Sequence, residues 1–166
     1  MANTYTLISS VAVGSGGAAN IDFTSIPQTY TDLVLKLSGR RNSTTTRVDI
    51  KLNNSALNGS YIRLYDASGT AGSDSSSFLF TQVPDSTITA NTFSNVELYI
   101  PNYTSSNYKS ISQDQVRENN SATNTNSLMA LLWSDTSAIN QITLIPFSSG
   151  TFDQYSTAYL YGISNA

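Results

Sequence analysis

With 166 residues the chain is long enough to enclose one hydrophobic core and is expected to form a single domain over 1–166. Eight basic residues scattered among eleven acidic ones leave a net charge of −3, which offers no footprint for nucleic acid or for an anionic membrane. The absence of His and Cys excludes a Ser-His-Asp triad, a thiol nucleophile, a disulfide and the usual zinc site.

Ser, Thr and Asn number 27, 20 and 16, a polarity that would suit a disordered chain, but ten Tyr, six Phe and so few charges do not. Thr, Tyr and the branched aliphatics favour strands, and the strong helix formers are scarce, so an all-β fold is predicted. Residues 1–4 carry neither a basic n-region nor an apolar stretch, and no run approaches the roughly 18 apolar residues of a membrane span. They are read as a short N-terminal arm, without a secretory signal.

Tyr5 to Val13 reads as a strand, and Gly14-Ser15-Gly16-Gly17 as a hairpin turn into Ile21-Asp22-Phe23. A glycine cluster cradles phosphate when a helix and a Lys follow it; here Pro27 and another strand follow. The organising strand comes next. Leu33, Leu35 and Leu37 alternate with Val34, Lys36 and Ser38, so one face carries three leucines toward the core. Arg47 to Asn53 alternates as cleanly, with Val48, Ile50 and Leu52 inward and a charged outer face read as solvated surface. Tyr61 to Tyr65 returns as a strand whose outer face is expected to be Tyr61, Arg63 and Tyr65, a first candidate contact stripe set against simple cross-strand packing.

Asp66 to Ser77 is read as the longest loop; Asp66 and Asp74 there lack the spacing of a calcium loop. Val96, Leu98 and Ile100 point inward from a strand ending at Pro101, which leaves Tyr99 outward. Lys109 to Val116 is a further strand, and Leu128 to Trp133, apolar on both parities, is either buried on both faces or presents its second face to a partner. Ser134 to Ala138 could form one helical turn, Ile142 and Leu144 belong to another strand, and in the last strand Tyr159 and Tyr161 face away from Ala158 and Leu160. The count is about nine or ten strands with little or no helix.

Five Asn-x-Ser/Thr triplets, beginning at Asn42, Asn53, Asn58, Asn102 and Asn119, are expected by chance in this composition. A carboxylate pair could hydrolyse glycosides, yet the acids stand singly in turns or on outward positions, and none has the apolar aromatic setting that raises a carboxyl pKa. The chain is therefore read as no enzyme, with no cofactor and no metal. Its candidate partner-contact residues are Tyr61, Arg63, Tyr65, Tyr99, Trp133, Tyr159 and Tyr161.

The segments FTSIPQTYTDLVLKLSGRR, FSNVELYIPNYTSSNYKSIS, LLWSDTSAINQITLIP and YSTAYLYGIS, in that order between Tyr5 and Ile163, resemble a group of small structural proteins of tailed bacteriophages, especially marine and cyanobacterial ones. That resemblance implies an antiparallel β-sandwich, jelly-roll-like, made in the host cytoplasm and incorporated in the virion. It further implies a capsid decoration (cement) protein on the outer capsid surface, bound to the major capsid protein and commonly a homotrimer. The alternative it leaves is a tail or fibre module that binds a host receptor or glycan through exposed Tyr and Trp. It carries no catalytic residues with it.

Overall fold

The computed structural model describes residues 4–55, 58–67, 70–118 and 125–164. Twelve strands, two more than the upper expectation, account for its regular structure: β1 (Tyr5–Ala12), β2 (Ile21–Phe23), β3 (Asp32–Ser38), β4 (Arg47–Leu52), β5 (Gly59–Ala67), β6 (Thr70–Ser76), β7 (Phe80–Gln82), β8 (Asn95–Ile100), β9 (Lys109–Arg117), β10 (Thr125–Trp133), β11 (Ile142–Pro146) and β12 (Thr157–Ile163). There is no helix among the described residues. Most of the expected arm lies outside the described residues, as does the triplet at Asn119; Thr4 accepts a hydrogen bond from Ser164 N–H.

The strands form a wide antiparallel sheet, β1-β12-β3-β8-β9-β10-β5-β6, packed on a narrow one, β2-β11-β4-β7. Setting aside β5, β6, β9 and β10 leaves two four-stranded sheets, β1-β12-β3-β8 and β2-β11-β4-β7. The chain passes between them as the two Greek keys of a jelly roll require. Two hairpins are inserted into that frame. One, β5–β6, lies between β4 and β7, and the other, β9–β10, between β8 and β11; both extend the wide sheet beyond β8. The glycine cluster is accordingly no hairpin turn. Gly17 N–H closes a tight turn on Gly14 C=O, but β1 pairs with β12 and β2 with β11, so the turn carries the chain from one sheet to the other.

Leu33, Leu35 and Leu37 are buried in the cluster between the sheets, where Val48, Ile50 and Leu52 of β4 and Ile142 and Leu144 of β11 join them, while Lys36 faces out. Burying each such side chain contributes about 1.5–3 kcal/mol, and this cluster is the main source of stability. Polar staples close the ends. Lys109, fully buried, donates to the carbonyls of Ser105 (2.7 Å) and Ser137 (2.6 Å) and stands 5.2 Å from the Trp133 ring centroid; burial lowers its pKa. Asn53, Asn58 and Asn102 occupy left-handed turn positions with φ of 52°, 67° and 47°, a conformation Asn tolerates, so three of the triplets mark turn chemistry.

Two local expectations are corrected. Asp66 to Ser77 contains β6, whose backbone pairs with β5 from Tyr61↔Ser76 to Ala67↔Thr70. Its Asp74 binds Arg63, and Asp66 lies opposite Ala71, so the two aspartates do not converge on a cation. Residues 134–138 form no helical turn; Asp135 Oδ1 instead accepts Ser137 N–H at 2.7 Å, closing a turn of its own.

Candidate functional site

The wide sheet is wider than its cover. The narrow sheet ends at β7; the inner face of β9, β10 and β5 still gives Ile111, Met129, Leu131, Trp133 and Tyr61 to the core, and toward that edge it meets Phe78, Phe80, Thr81 and Gln82. Polar side chains also point inward there, some bonded to one another and some, such as Ser127 Oγ and Arg117 Nε, buried without a partner among the described residues. Gln115 Oε1 accepts from Thr81 Oγ1 (2.9 Å) and Gln82 N–H (3.0 Å), and Arg117 donates to Thr125 Oγ1 at 2.8 Å. Arg63 is the pin of this region. Its guanidinium binds Asp74 through two nitrogens and Gln82 Oε1 at 3.0 Å, and lies 4.3 Å from the Tyr65 ring centroid.

This inward turn of Arg63 reverses the expected face of β5. Tyr61 is buried, edge-to-face with Phe78 and Phe80 at 5.3 and 4.8 Å; Arg63 and Tyr65 are half-buried beneath the sheet. Tyr65 lies over Gly72 of β6, where a Cβ would come within 2.7 Å of its ring. Ile62 and Leu64 therefore point outward, 64% and 62% exposed, beside Leu128 at 63%. Trp133 also departs from expectation, since β10 alternates strictly and buries it with Leu131 and Met129. The apolar run of β10 is thus not buried on both faces: Leu128, Ala130 and Leu132 are the exposed set.

Cross-strand register orders this outer face. One row runs Tyr161, Val34, Tyr99, Ser112, Ala130, Ile62; the next runs Tyr159, Lys36, Glu97, Asp114, Leu128, Leu64. Tyr99, Tyr159 and Tyr161 of the sequence candidates are brought to this face; Tyr61, Arg63, Tyr65 and Trp133 are not. Tyr159 and Tyr161 stack at 6.5 Å, and Tyr5 meets Tyr161 edge-on at 6.2 Å. Tyr99 donates to Asp32 Oδ2 at 2.7 Å, a bond that, with burial and the carboxylate charge, raises its pKa to about 12. At the centre Lys36 Nζ meets Glu97 Oε2 at 2.8 Å, which raises the lysine pKa.

Small side chains make relief. Ser112 and Ala130 floor a groove of about 450 Å³ between Tyr99 on one side and Ile62, Leu64 and Leu128 on the other. A second trough of about 380 Å³ lies beyond, toward Ala71 and Asn126. Leu64 and Leu128, directly paired, form the ridge between them. Such a face can bury apolar area against a partner, and the facing carboxylates Glu97 and Asp114 add an acidic wall to the groove. Among the described residues no three of His, Cys, Asp and Glu gather to hold a metal, and no helix is long and apolar enough to cross a membrane. No protein-family model matches the chain, and neither does any curated protein.

Proposed function

We propose that this chain is a non-catalytic structural protein of a phage virion, a decoration protein that docks on the major capsid protein through the outer face of its wide sheet. The observation that carries this reading is the aliphatic ridge: Ile62, Leu64 and Leu128 are each more than half exposed and adjacent in register, on strands inserted into an otherwise closed jelly roll. A lone protein gains nothing from that placement, whereas a repeating shell does. The sequence resemblance to phage structural proteins supplies the virion, and trimeric self-association is part of the same proposal.

Antibody labelling of virions from the phage that encodes the chain tests it. Label spread over the shell supports decoration; label confined to the tail, or absent, overturns it. The double variant Leu64→Thr/Leu128→Thr should keep a melting temperature near the parent's, because both side chains are already hydrated and Thr suits a strand, yet fail to bind shells that lack the protein. Shell binding that withstands both substitutions would remove the ridge from the interface.

A further inference from the structure

The second place where folding needs do not account for the residues present is the end of the jelly roll formed by the connections β1–β2, β3–β4, β7–β8 and β11–β12. These line an open pocket of about 400 Å³, a size that suits a small ligand. Tyr155 lines it, 73% exposed, and its φ is +72°. A bulky side chain is an outlier in that left-handed conformation, which glycine or asparagine adopts readily.

The surrounding structure imposes the conformation. Tyr155 N–H donates to Val13 C=O at 3.0 Å, Ser156 N–H donates to Asp153 C=O at 3.1 Å, and the buried Ser156 hydroxyl is bonded to both backbone groups of Arg40. A glycine would satisfy every one of these bonds with less strain. The Tyr155 ring pairs with no other aromatic ring among the described residues. Strain kept at a position where the side chain is mostly exposed and pairs with no other ring points to a use for that side chain.

The walls say what would use it. The charges are spent internally: Arg40 donates to the carbonyls of Thr89 (2.9 Å) and Ile88 (3.0 Å), and its Nε is 3.3 Å from Asp153 Oδ2. A phosphate or carboxylate ligand would find no free cation there. What the pocket does offer is neutral. The exposed amides of Asn91 and Gln154 enter no hydrogen bond among the described residues, and Phe93 adds apolar surface beside Tyr155. Planar amides that donate and accept, next to an exposed aromatic ring, match a pyranose, whose hydroxyls circle a ring with an apolar C–H face.

We propose that this pocket is a binding site for a neutral saccharide, with Tyr155 as the stacking platform and Asn91 and Gln154 as hydroxyl partners. The site is separate from the outer face of the wide sheet, and its test does not depend on where the protein resides.

The full chain, fluorescently labelled, is applied to an array of neutral and acidic oligosaccharides, and the best neutral one is titrated calorimetrically at about 0.1 M and about 1 M salt. A neutral oligosaccharide should bind with salt-independent affinity. Tyr155→Ala should weaken it about tenfold or more, and Tyr155→Phe should stay within about threefold, as expected when ring stacking rather than the hydroxyl carries the contact. Tyr155→Gly should lose binding while melting at or above the parent temperature, which separates the ligand role from a folding role. Failure of every neutral oligosaccharide to bind, binding only of acidic ones in a salt-sensitive manner, or unchanged binding by Tyr155→Ala would each overturn the proposal.

Discussion

Strands β3 and β5 share one sheet and present opposite faces to it. In β3 the aliphatic residues Leu33, Leu35 and Leu37 go under and the charged Lys36 goes out; in β5 the aliphatic Ile62 and Leu64 go out and the charged Arg63 goes under. The difference lies beneath them. The leucines of β3 share a cluster with the apolar residues of the narrow sheet, so a methyl there meets methyls. Below β5 the cover has run out to β7: Tyr61 still meets Phe78 and Phe80, but at Arg63 it presents Gln82, together with Asp74 from the neighbouring strand, so a guanidinium is the better-matched group. A strand's inward face is set by what covers it, and where the cover is polar the apolar residues are left on the outer face.

The largest test of that contrast compares leucines. Leu35→Ala should lower stability by about 2–5 kcal/mol, the transfer and cavity cost at a fully buried site. Leu64→Ala should change it by less than about 0.5 kcal/mol. Urea denaturation of the two variants checks both, and similar midpoints would mean that Leu64 is buried after all. Next in size is Arg63→Ala, expected to cost about 1–3 kcal/mol because Asp74 and Gln82 lose their partner. Hydrogen exchange should show the loss concentrated in β5 and β6; uniform loss would deny Arg63 its role as the pin of that hairpin.

Alkaline pH probes the aromatic half of the outer face. The Tyr99 pKa is raised from 10.0 to about 12 in the folded protein. Above pH 10 the unfolded chain has released a proton that the folded chain still holds, so stability falls with rising pH. The contribution is complete below pH 10 and is lost as pH climbs toward 12. The stability gap between the parent and Tyr99→Phe should therefore narrow between about pH 10 and 12, by on the order of 1 kcal/mol after solvent screening. A constant gap in denaturant titrations across that range would show that the bond to Asp32 does not govern the phenol.

β4 and β8 could be placed face by face because one parity in each is aliphatic and the other is not; β3 was legible from its three leucines, although Val34 on its other parity is buried as well. β5 could not, since Tyr61, Arg63, Tyr65 and Ile62, Leu64 both make plausible inward sets, and only pairing with β10 and β6 decides between them. β6 itself, TAGSDSS, has no apolar period to read; it is a strand because β5 offers it a ladder. Tyr155 gave no signal either. Its weight comes from a backbone angle and a pocket assembled from four separate connections, neither of which is local in sequence.

The smallest effect should come from the charge pair between the two halves of the outer face. Lys36 and Glu97 are about half exposed, so most of their attraction is screened by water. Their geometry adds one feature, because Glu97 stands directly opposite Asp114 in the β8–β9 register, and like charges so placed repel. Lys36→Gln leaves that repulsion uncompensated. The expected cost is below about 0.5 kcal/mol at low salt and should vanish near 1 M salt, where the Debye length shrinks to about 3 Å. Thermal denaturation of parent and variant across that salt range measures it. A loss that persists at high salt would mean that the Lys36 stem packs on Tyr159 or its neighbours, and the outer face would then be apolar from one end to the other.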